Sequence, residues 1–234
     1  MFWLSGLLGI PFAVEIGMRI NTFGLAFVAA TLLGSSVQAT VISINNPSFE
    51  QSTGTFDSGF RRYTSANQGL PGWTVTGSDV DHLQSPTYQA DDGILALDLD
   101  GNTIGGIQQT ISVPNTGVFR LVFALSGNPD GTLAEDAVPK TVRLTLSQGL
   151  LSFSQDFTFS TLLNSRTNMG WVDKSFSAPI VTPGNYELIF TSLTSDGYGP
   201  VVDNVSAQVP DGGLTVALLG LGMGAIGLVR RKLA

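Results

Sequence analysis

Between Thr40 and Gln208 the chain is built of short runs rich in Val, Ile, Phe, Leu and Thr, separated by clusters of Gly, Pro, Asn and Asp. Runs of this length bounded by turn residues are the pattern of a β-sandwich or jelly roll. They predict strands at 41–44, 72–76, 94–99, 106–113, 119–126, 141–147, 154–159, 170–176, 186–191 and 201–208. Several alternate with the period of two expected when one face is buried, as in Val142, Leu144 and Leu146 against Thr141, Arg143 and Thr145. Turn signals stand between the runs, for example Val113-Pro114-Asn115-Thr116-Gly117 and Thr182-Pro183-Gly184-Asn185. No helical stripe longer than two turns interrupts them. The expected fold is therefore all-β, a jelly-roll sandwich in one domain over 40–208, with 54–69 and 128–140 as exposed loops.

The apolar pattern changes at both ends. From Met18, Arg19 supplies a positive start, Phe23 to Leu33 an apolar run, and Val37-Gln38-Ala39 a small-x-small site for signal peptidase before Thr40. Residues 18–39 thus read as a signal peptide. Residues 1–17 carry Glu15 and no base, which makes a poor leader start, and they read as an upstream start codon included in error. At the other end, 214–229 holds 16 apolar or small residues without a charge, followed at once by Arg230-Arg231-Lys232. A spanning helix wants about 20 apolar residues, about 17 at the least. This run is short but extended by the apolar stems of its flanking cations. It predicts a transmembrane helix with a cytoplasmic basic stop and with everything before Leu214 outside.

Composition narrows the chemistry. The chain has 234 residues with 28 Gly, 11 Pro, no Cys and a single His, His82. Disulfide frameworks, thiolate metal sites and multi-His metal centres are excluded. Eleven basic against eighteen acidic residues give a net charge of −7, which argues against a nucleic-acid partner, yet the mean hydropathy is +0.25. The segments reconcile the two. Residues 40–208 hold seven of the bases and sixteen of the acids, a net charge of −9, while the positive hydropathy belongs largely to the two ends.

Immediately before the apolar run stands Val209-Pro210-Asp211-Gly212-Gly213-Leu214-Thr215, a turn-rich junction. Pro-containing motif, apolar helix and Arg-rich end together resemble the PEP-CTERM sorting signal of Gram-negative bacteria, in its V-P-D-G-G-x-T variant. The resemblance implies that Val209, Pro210, Asp211, Gly212, Gly213 and Thr215 are read by an exosortase while the chain is held in the inner membrane. The protein would then pass to the cell surface or extracellular matrix.

A second resemblance covers 44–207. Asn46-Pro47-Ser48-Phe49-Glu50, Leu70-Pro71-Gly72-Trp73, Asp98-Leu99-Asp100-Gly101-Asn102, Asn128-Pro129-Asp130-Gly131 and Gly199-Pro200-Val201-Val202-Asp203-Asn204 follow the order of the choice-of-anchor C domain. That family is similar to galactose-binding-like jelly rolls, the fold of many carbohydrate-binding modules. Related modules carry a structural calcium ion, and the resemblance places it on Ser48, Glu50 and Asp203. A hard cation needs clustered oxygens at about 2.3 to 2.6 Å. The other reading of these residues is that Glu50 caps a turn and Asp203 accepts backbone N–H groups. Asp98 to Asn102 opens like a calcium loop but lacks the later Gly and Glu, so it reads as a strand with Asp98 at its polar edge, followed by a turn.

Sugar rings stack on aromatic faces and are oriented by polar groups. Tyr88 in the loop 84–92, Trp73, and the loop cluster Arg61-Arg62 are the candidates. Trp73 and Trp171 sit in strand patterns that also suit packing residues. No G-x-S-x-G elbow occurs, and His82 reads as a solvated loop or edge residue. Asp79 with Asp81, or Asp91 with Asp92, could form a glycosidase pair, but acidic residues also keep exported β-proteins soluble. The expectation is a non-enzymatic surface or matrix protein associated with carbohydrate or exopolysaccharide. The alternatives are a structural or adhesive protein without a sugar site and a polysaccharide-active hydrolase.

Overall fold

The computed structural model describes residues 39–210, and these form a two-sheet antiparallel β-sandwich. The strands are β1 Ala39–Ile42, β2 Phe60–Thr64, β3 Thr74–Gly77, β4 Asp79–Gln84, β5 Leu95–Asp98, β6 Gly105–Val113, β7 Gly117–Gly127, β8 Lys140–Gln148, β9 Leu151–Phe159, β10 Val172–Ile180, β11 Gly184–Ser192 and β12 Pro200–Pro210. A single short helix, α1, spans Leu133–Asp136 behind a Thr132–Glu135 capping box. One sheet runs β10-β7-β12-β5-β4-β2, with β1 also paired to β12, and the other runs β3-β6-β11-β8-β9. Residues 1–38, which hold the expected upstream segment and all but the last residue of the expected signal peptide, the apolar run 214–229 and the motif from Asp211 onward lie outside the described residues.

The sandwich forms because most strands alternate. In β7, Phe119, Leu121, Phe123 and Leu125 point inward, while Val118, Arg120 and Val122 point out. They meet Val142, Leu144 and Leu146 of β8 and Tyr186, Leu188 and Phe190 of β11 from the facing sheet. Phe123 is the centre of this core. Its ring packs edge-on against Phe157 at 5.3 Å and Phe190 at 5.2 Å, and Trp73 closes the same layer 6.0 Å from Phe190.

Every strand expected from the sequence is present, and two were missed. Residues 54–69, read as a loop, contain β2, whose Tyr63 is fully buried. In β4, Val80 and His82 face the core, while Asp79, Asp81 and Leu83 face outward under a cover of loops. His82 is therefore no solvated edge residue. It is fully buried, its Nε2 bonds the Phe49 carbonyl at 2.8 Å, and burial lowers its pKa to about 4. Asp98 is not at a polar edge either: β5 lies between β4 and β12, and Asp98 is fully buried. In the segment 128–140, read as a loop, Lys140 already belongs to β8, is fully buried, and pairs with Asp196 at 2.7 Å.

The junction at the C-terminal end also differs from its reading as a turn. β12 continues through Val209 and Pro210, which pair with Thr40 and Ala39 of β1, and Val209 is fully buried in the core. Two residues of the sorting motif are thus part of the sandwich. The outer face of β4, β5 and β12 carries a second, smaller cluster, Leu83, Tyr88, Ala96, Met169 and Val201, roofed partly by Phe60 and Trp171. This covered outer face is where the polar site is built.

Replacing Phe123 by Ala removes the ring shared by both sheets and is expected to destabilise the protein by about 3 to 5 kcal/mol. Chemical denaturation checks this, and a loss under about 1 kcal/mol would show that the core does not centre on this residue.

Candidate functional site

At the end of the sandwich where β12 begins, a cleft of about 260 Å³ opens between the outer face of β2 and β4 and the loops after β5, β7 and β11. Phe60 and Arg62 of β2 and Asp81 and Leu83 of β4 form its floor, because alternate residues of a strand share a face. Asn102, Asn128, Asp130 and Tyr198 come from the loops.

Each polar group is held in place. Arg62 makes a bidentate pair with Asp81, both bonds 2.7 Å, and donates from Nη2 to the Gly101 carbonyl at 2.8 Å. Its guanidinium lies 5.8 Å from the Phe60 ring centre. Asn102 donates to Asp79 from its side chain at 2.7 Å and its backbone at 2.9 Å. On the opposite wall Tyr88 donates its hydroxyl to Asp130, which also takes two bonds from Arg166, at 2.5 and 2.9 Å, while the Arg166 guanidinium sits 4.8 Å over the Tyr88 ring.

Beneath the floor lies a carboxylate pair. Asp81 and Asp98 are directly opposite each other on β4 and β5 and share the outer face. Asp98 accepts from the N–H groups of Asp100 and Gly199 and from Asn128 Nδ2, at 2.9, 3.1 and 2.7 Å. Burial still pushes its pKa well above the carboxylate range, and the neighbouring Asp100 and Asp81 charges push the same way. Asp81 is raised as well: burial outweighs its ion pair with Arg62. Burial also works to raise Asp79, but the N–H donors of Asn102 and Thr103 and the charge of Arg62 outweigh it and its pKa falls. The backbone must come close here. A Cβ on Gly199 would stand 2.7 Å from both Asp98 Oδ1 and the Asp100 Cβ, so only glycine fits.

The residues expected to bind calcium are brought to one segment. Glu50 Oε1 accepts from the N–H groups of Ile94 and Leu95, at 2.9 and 2.8 Å. Asp203 Oδ2 accepts from Asp91 and Asp92, at 2.9 and 3.0 Å, and its Oδ1 from Asn204 at 2.7 Å. Both carboxylates therefore grip residues 91–95 from two sides, which corresponds to the turn-capping reading. Ser48 lies in the turn that Phe49 closes by donating to the Asn46 carbonyl. Among the described residues no group of three or more His, Cys, Asp or Glu side chains is arranged to hold a metal. Burial raises the Asp203 pKa to about 7, and Asp91 adds to it.

Of the four expected sugar contacts, Arg62 and Tyr88 line the cleft and the other two do not. Tyr88 is not an exposed loop ring: it is buried and locked by Asp130 and Arg166. Trp73 is buried in the core and donates its indole N–H to the Asn46 carbonyl. Arg61 points to the other side of β2, 5.2 Å over the Tyr63 ring. Trp171 lies at the cover of the smaller cluster and donates to the Gln89 carbonyl at 3.1 Å. Asp79 and Asp81 stand together around Arg62, whereas Asp91 offers its backbone to Asp203 and its carboxylate to Asn204. Of the cleft residues not foreseen as a site, Asn102, Asn128 and Asp130 sit in the Asp-Gly-Asn and Asn-Pro-Asp-Gly turns, visible only as turn chemistry, and Phe60 and Tyr198 carried no signal of their own.

An all-β sandwich with a polar cleft at one end and a C-terminal sorting motif is the class that fold and site define. Residues 42–208 match the family described as "Protein of unknown function (DUF642)", and the chain belongs to that family. Residues 208–233 match the VPDSG-CTERM motif, a C-terminal sorting signal of the exosortase type, with Gly212 where the motif's name has Ser. The chain is thereby marked for export and surface targeting. No curated protein matches it. Among solved structures it is similar to the Stig cyclase Fisc from Fischerella sp. TAU, at 17% identity and TM-score 0.50, over 73% of this chain and 98% of that one. It is also similar to TmCBM61 in complex with β-1,4-galactotriose, at 18% identity and TM-score 0.43, over 69% and 94%. A family 35 carbohydrate binding module from Clostridium thermocellum shows 18% identity and TM-score 0.41, over 63% and 96%. Among the described residues no helix is long and apolar enough to cross a membrane.

Because the chain has one histidine, its ring resonances are unambiguous, and an NMR titration is expected to give a midpoint of about 4. The lowered value means that His82 contributes stability above its ordinary value of 6.5, lost as the pH falls through about 4. A midpoint near 6.5 would show that the ring is not buried.

Proposed function

We propose that this is a non-enzymatic, surface-exported carbohydrate-binding protein whose ligand site is the cleft over β2 and β4. The observation that carries the reading is the combination of aromatic and immobilised polar groups there: Phe60 and Tyr198 beside Arg62, Asn102, Asn128 and Asp130. A pyranose offers apolar C–H faces to rings and hydroxyls to fixed donors and acceptors, and groups already held by the protein lose little entropy on binding it. Arg62 engages Asp81 and Gly101 through Nε and Nη2, so its Nη1 edge is the natural donor to a sugar hydroxyl. The bidentate lock on Asp81 supports a binding role for this carboxylate over one as a catalytic acid. Exopolysaccharide is the proposed partner at the cell surface, and an exosortase the proposed processing enzyme. The finer resemblances, to PEP-CTERM and choice-of-anchor C proteins with a jelly-roll, galactose-binding-like domain, belong to the same proposal.

A glycan array with the full-length protein tests this, followed by calorimetry on any polysaccharide found. Tyr198→Ala is expected to weaken binding about tenfold or more, the value of one aromatic contact. Binding to no polysaccharide would favour the structural or adhesive reading, and turnover of a bound glycan abolished by Asp81→Asn would favour a hydrolase.

A structural calcium ion near residues 91–95 is a second reading, favoured by one observation: Asp203 is buried, its pKa is raised to about 7, and none of the described ion pairs involves it. A divalent cation there would offset that charge. Thermal unfolding in calcium and in EDTA is expected to differ, with the higher Tm in calcium, and identical values would remove the ion.

A further inference from the structure

Among the described residues, the end of the sandwich opposite the cleft carries no charged side chain; Asp211 is the next residue along the chain. It consists of the turns 114–116, 149–150 and 181–183, the first residues of β1 and the last of β12. Across 114–118, 148–152, 181–185, 39–42 and 209–210 there is no Asp, Glu, Lys or Arg, although residues 40–208 carry −9. In their place the turns expose large apolar side chains: Leu150 is 105% exposed and Val181 64%, with Val118 and Leu151 beside them. An acidic exported domain ordinarily covers its turns with charge, so a charge-free tip with protruding leucine and valine points to a partner surface.

Hydrogen bonds anchor this end. Asn115 donates to Thr40 at 2.9 Å, Tyr186 donates to the Thr182 carbonyl at 2.7 Å, and Gln148 donates to the Asn185 carbonyl at 3.3 Å, so the three turns are tied to the ends of β1 and β11.

The length of chain beyond β12 says what the partner is. β12 ends at Pro210 and the apolar run begins at Leu214. Four residue steps span at most about 14 Å. The headgroup layer on each side of a bilayer is roughly 5 to 8 Å thick. By strand register Pro210 lies level with Val118, so the turns 114–116 and 181–183 extend past it toward whatever the C-terminus enters. Read as a helix, the run of 16 residues would cover about 24 Å, less than the roughly 30 Å hydrocarbon core, and such a shortfall would draw its flanks inward.

We infer that this charge-free end rests on the lipid surface, with Leu150 and Val181 seated in the headgroup layer, and that the ligand cleft is thereby held facing away from the membrane. The inference rests on the reading of 214–229 as a membrane span. An uncharged tip is what permits the approach, since a −9 domain presenting carboxylates would be repelled by anionic lipid.

The absence of cysteine allows single labelling sites. The full chain carrying Leu150→Cys, Val181→Cys, Leu133→Cys or Met223→Cys, each labelled with an environment-sensitive fluorophore, is reconstituted into vesicles of phosphatidylethanolamine and phosphatidylglycerol containing spin-labelled lipid. Leu133 is 83% exposed near the cleft end and serves as the distal control. The expected result is loss of emission at 150 and 181 comparable with that at 223, and none at 133. Quenching at 223 without quenching at 150 and 181 overturns the inference and leaves the span standing. No quenching at 223 removes the span and the inference with it. A blue shift at 150 and 181 that grows with protein concentration and is insensitive to spin-labelled lipid identifies a second copy as the occupant and also overturns it.

Discussion

The bidentate pair between Arg62 and Asp81 is the contact on which the cleft end of the larger sheet depends. β2 is bonded to the rest of that sheet only through β4, and Asp81 stands opposite Asp98 on the same face. Two carboxylates so placed repel each other and lose their hydration, and a buried charge stripped of its partner costs about 3 to 5 kcal/mol. Arg62 offsets one of them and at the same time ties the loop at Gly101 to the floor. Asn128 and the N–H groups of Asp100 and Gly199 hold the other. The loops after β5, β7 and β11 are thereby fixed by the requirement to satisfy buried carboxylates, and the cleft is the space these loops enclose.

How much of this was visible in the chain follows from what each strand packs against. Strands with one face on the core between the sheets and the other in solvent, such as β7, β8 and β11, alternate, and their pattern is read directly. β4 is different: its sequence, Asp-Val-Asp-His-Leu-Gln, places carboxylates on a face that loops later cover, so a strand buried on both sides looks like a polar turn. β2, with Arg61 and Arg62 at its centre, fails to register for the same reason. Tertiary cover decided these two elements, and nothing local announces it. His82 shows the same effect at a single residue, since one more inward position on β4 is enough to bury an imidazole.

The candidate site was legible in part. Arg62 and Tyr88 belong to the cleft, although Tyr88 is there as a buried wall fixed by Asp130 and Arg166 and not as an exposed ring. Asn102, Asn128 and Asp130 stand in recognisable turns, but their side chains are assembled from two separate loops, and only the strand order brings those loops together. Glu50 and Asp203 are far apart in sequence and yet hold adjoining parts of one segment, Glu50 residues 94 and 95 and Asp203 residues 91 and 92. The family resemblance places them around one ion, while their hydrogen bonds show that backbone N–H groups are what they hold.

The pairing of β1 with the last residues of β12 has a mechanical consequence. β12 is an interior strand, flanked by β7 along most of its length on one side and by β5 and β1 on the other. Any pull on the C-terminus therefore acts along the axis of a strand whose ladders on both sides must slide together before it can move. A tether leaving from an edge strand would peel one hydrogen bond at a time. Here the bonds are stressed in parallel, and tension between the C-terminus and a ligand in the cleft at the far end would run straight through the centre of the larger sheet.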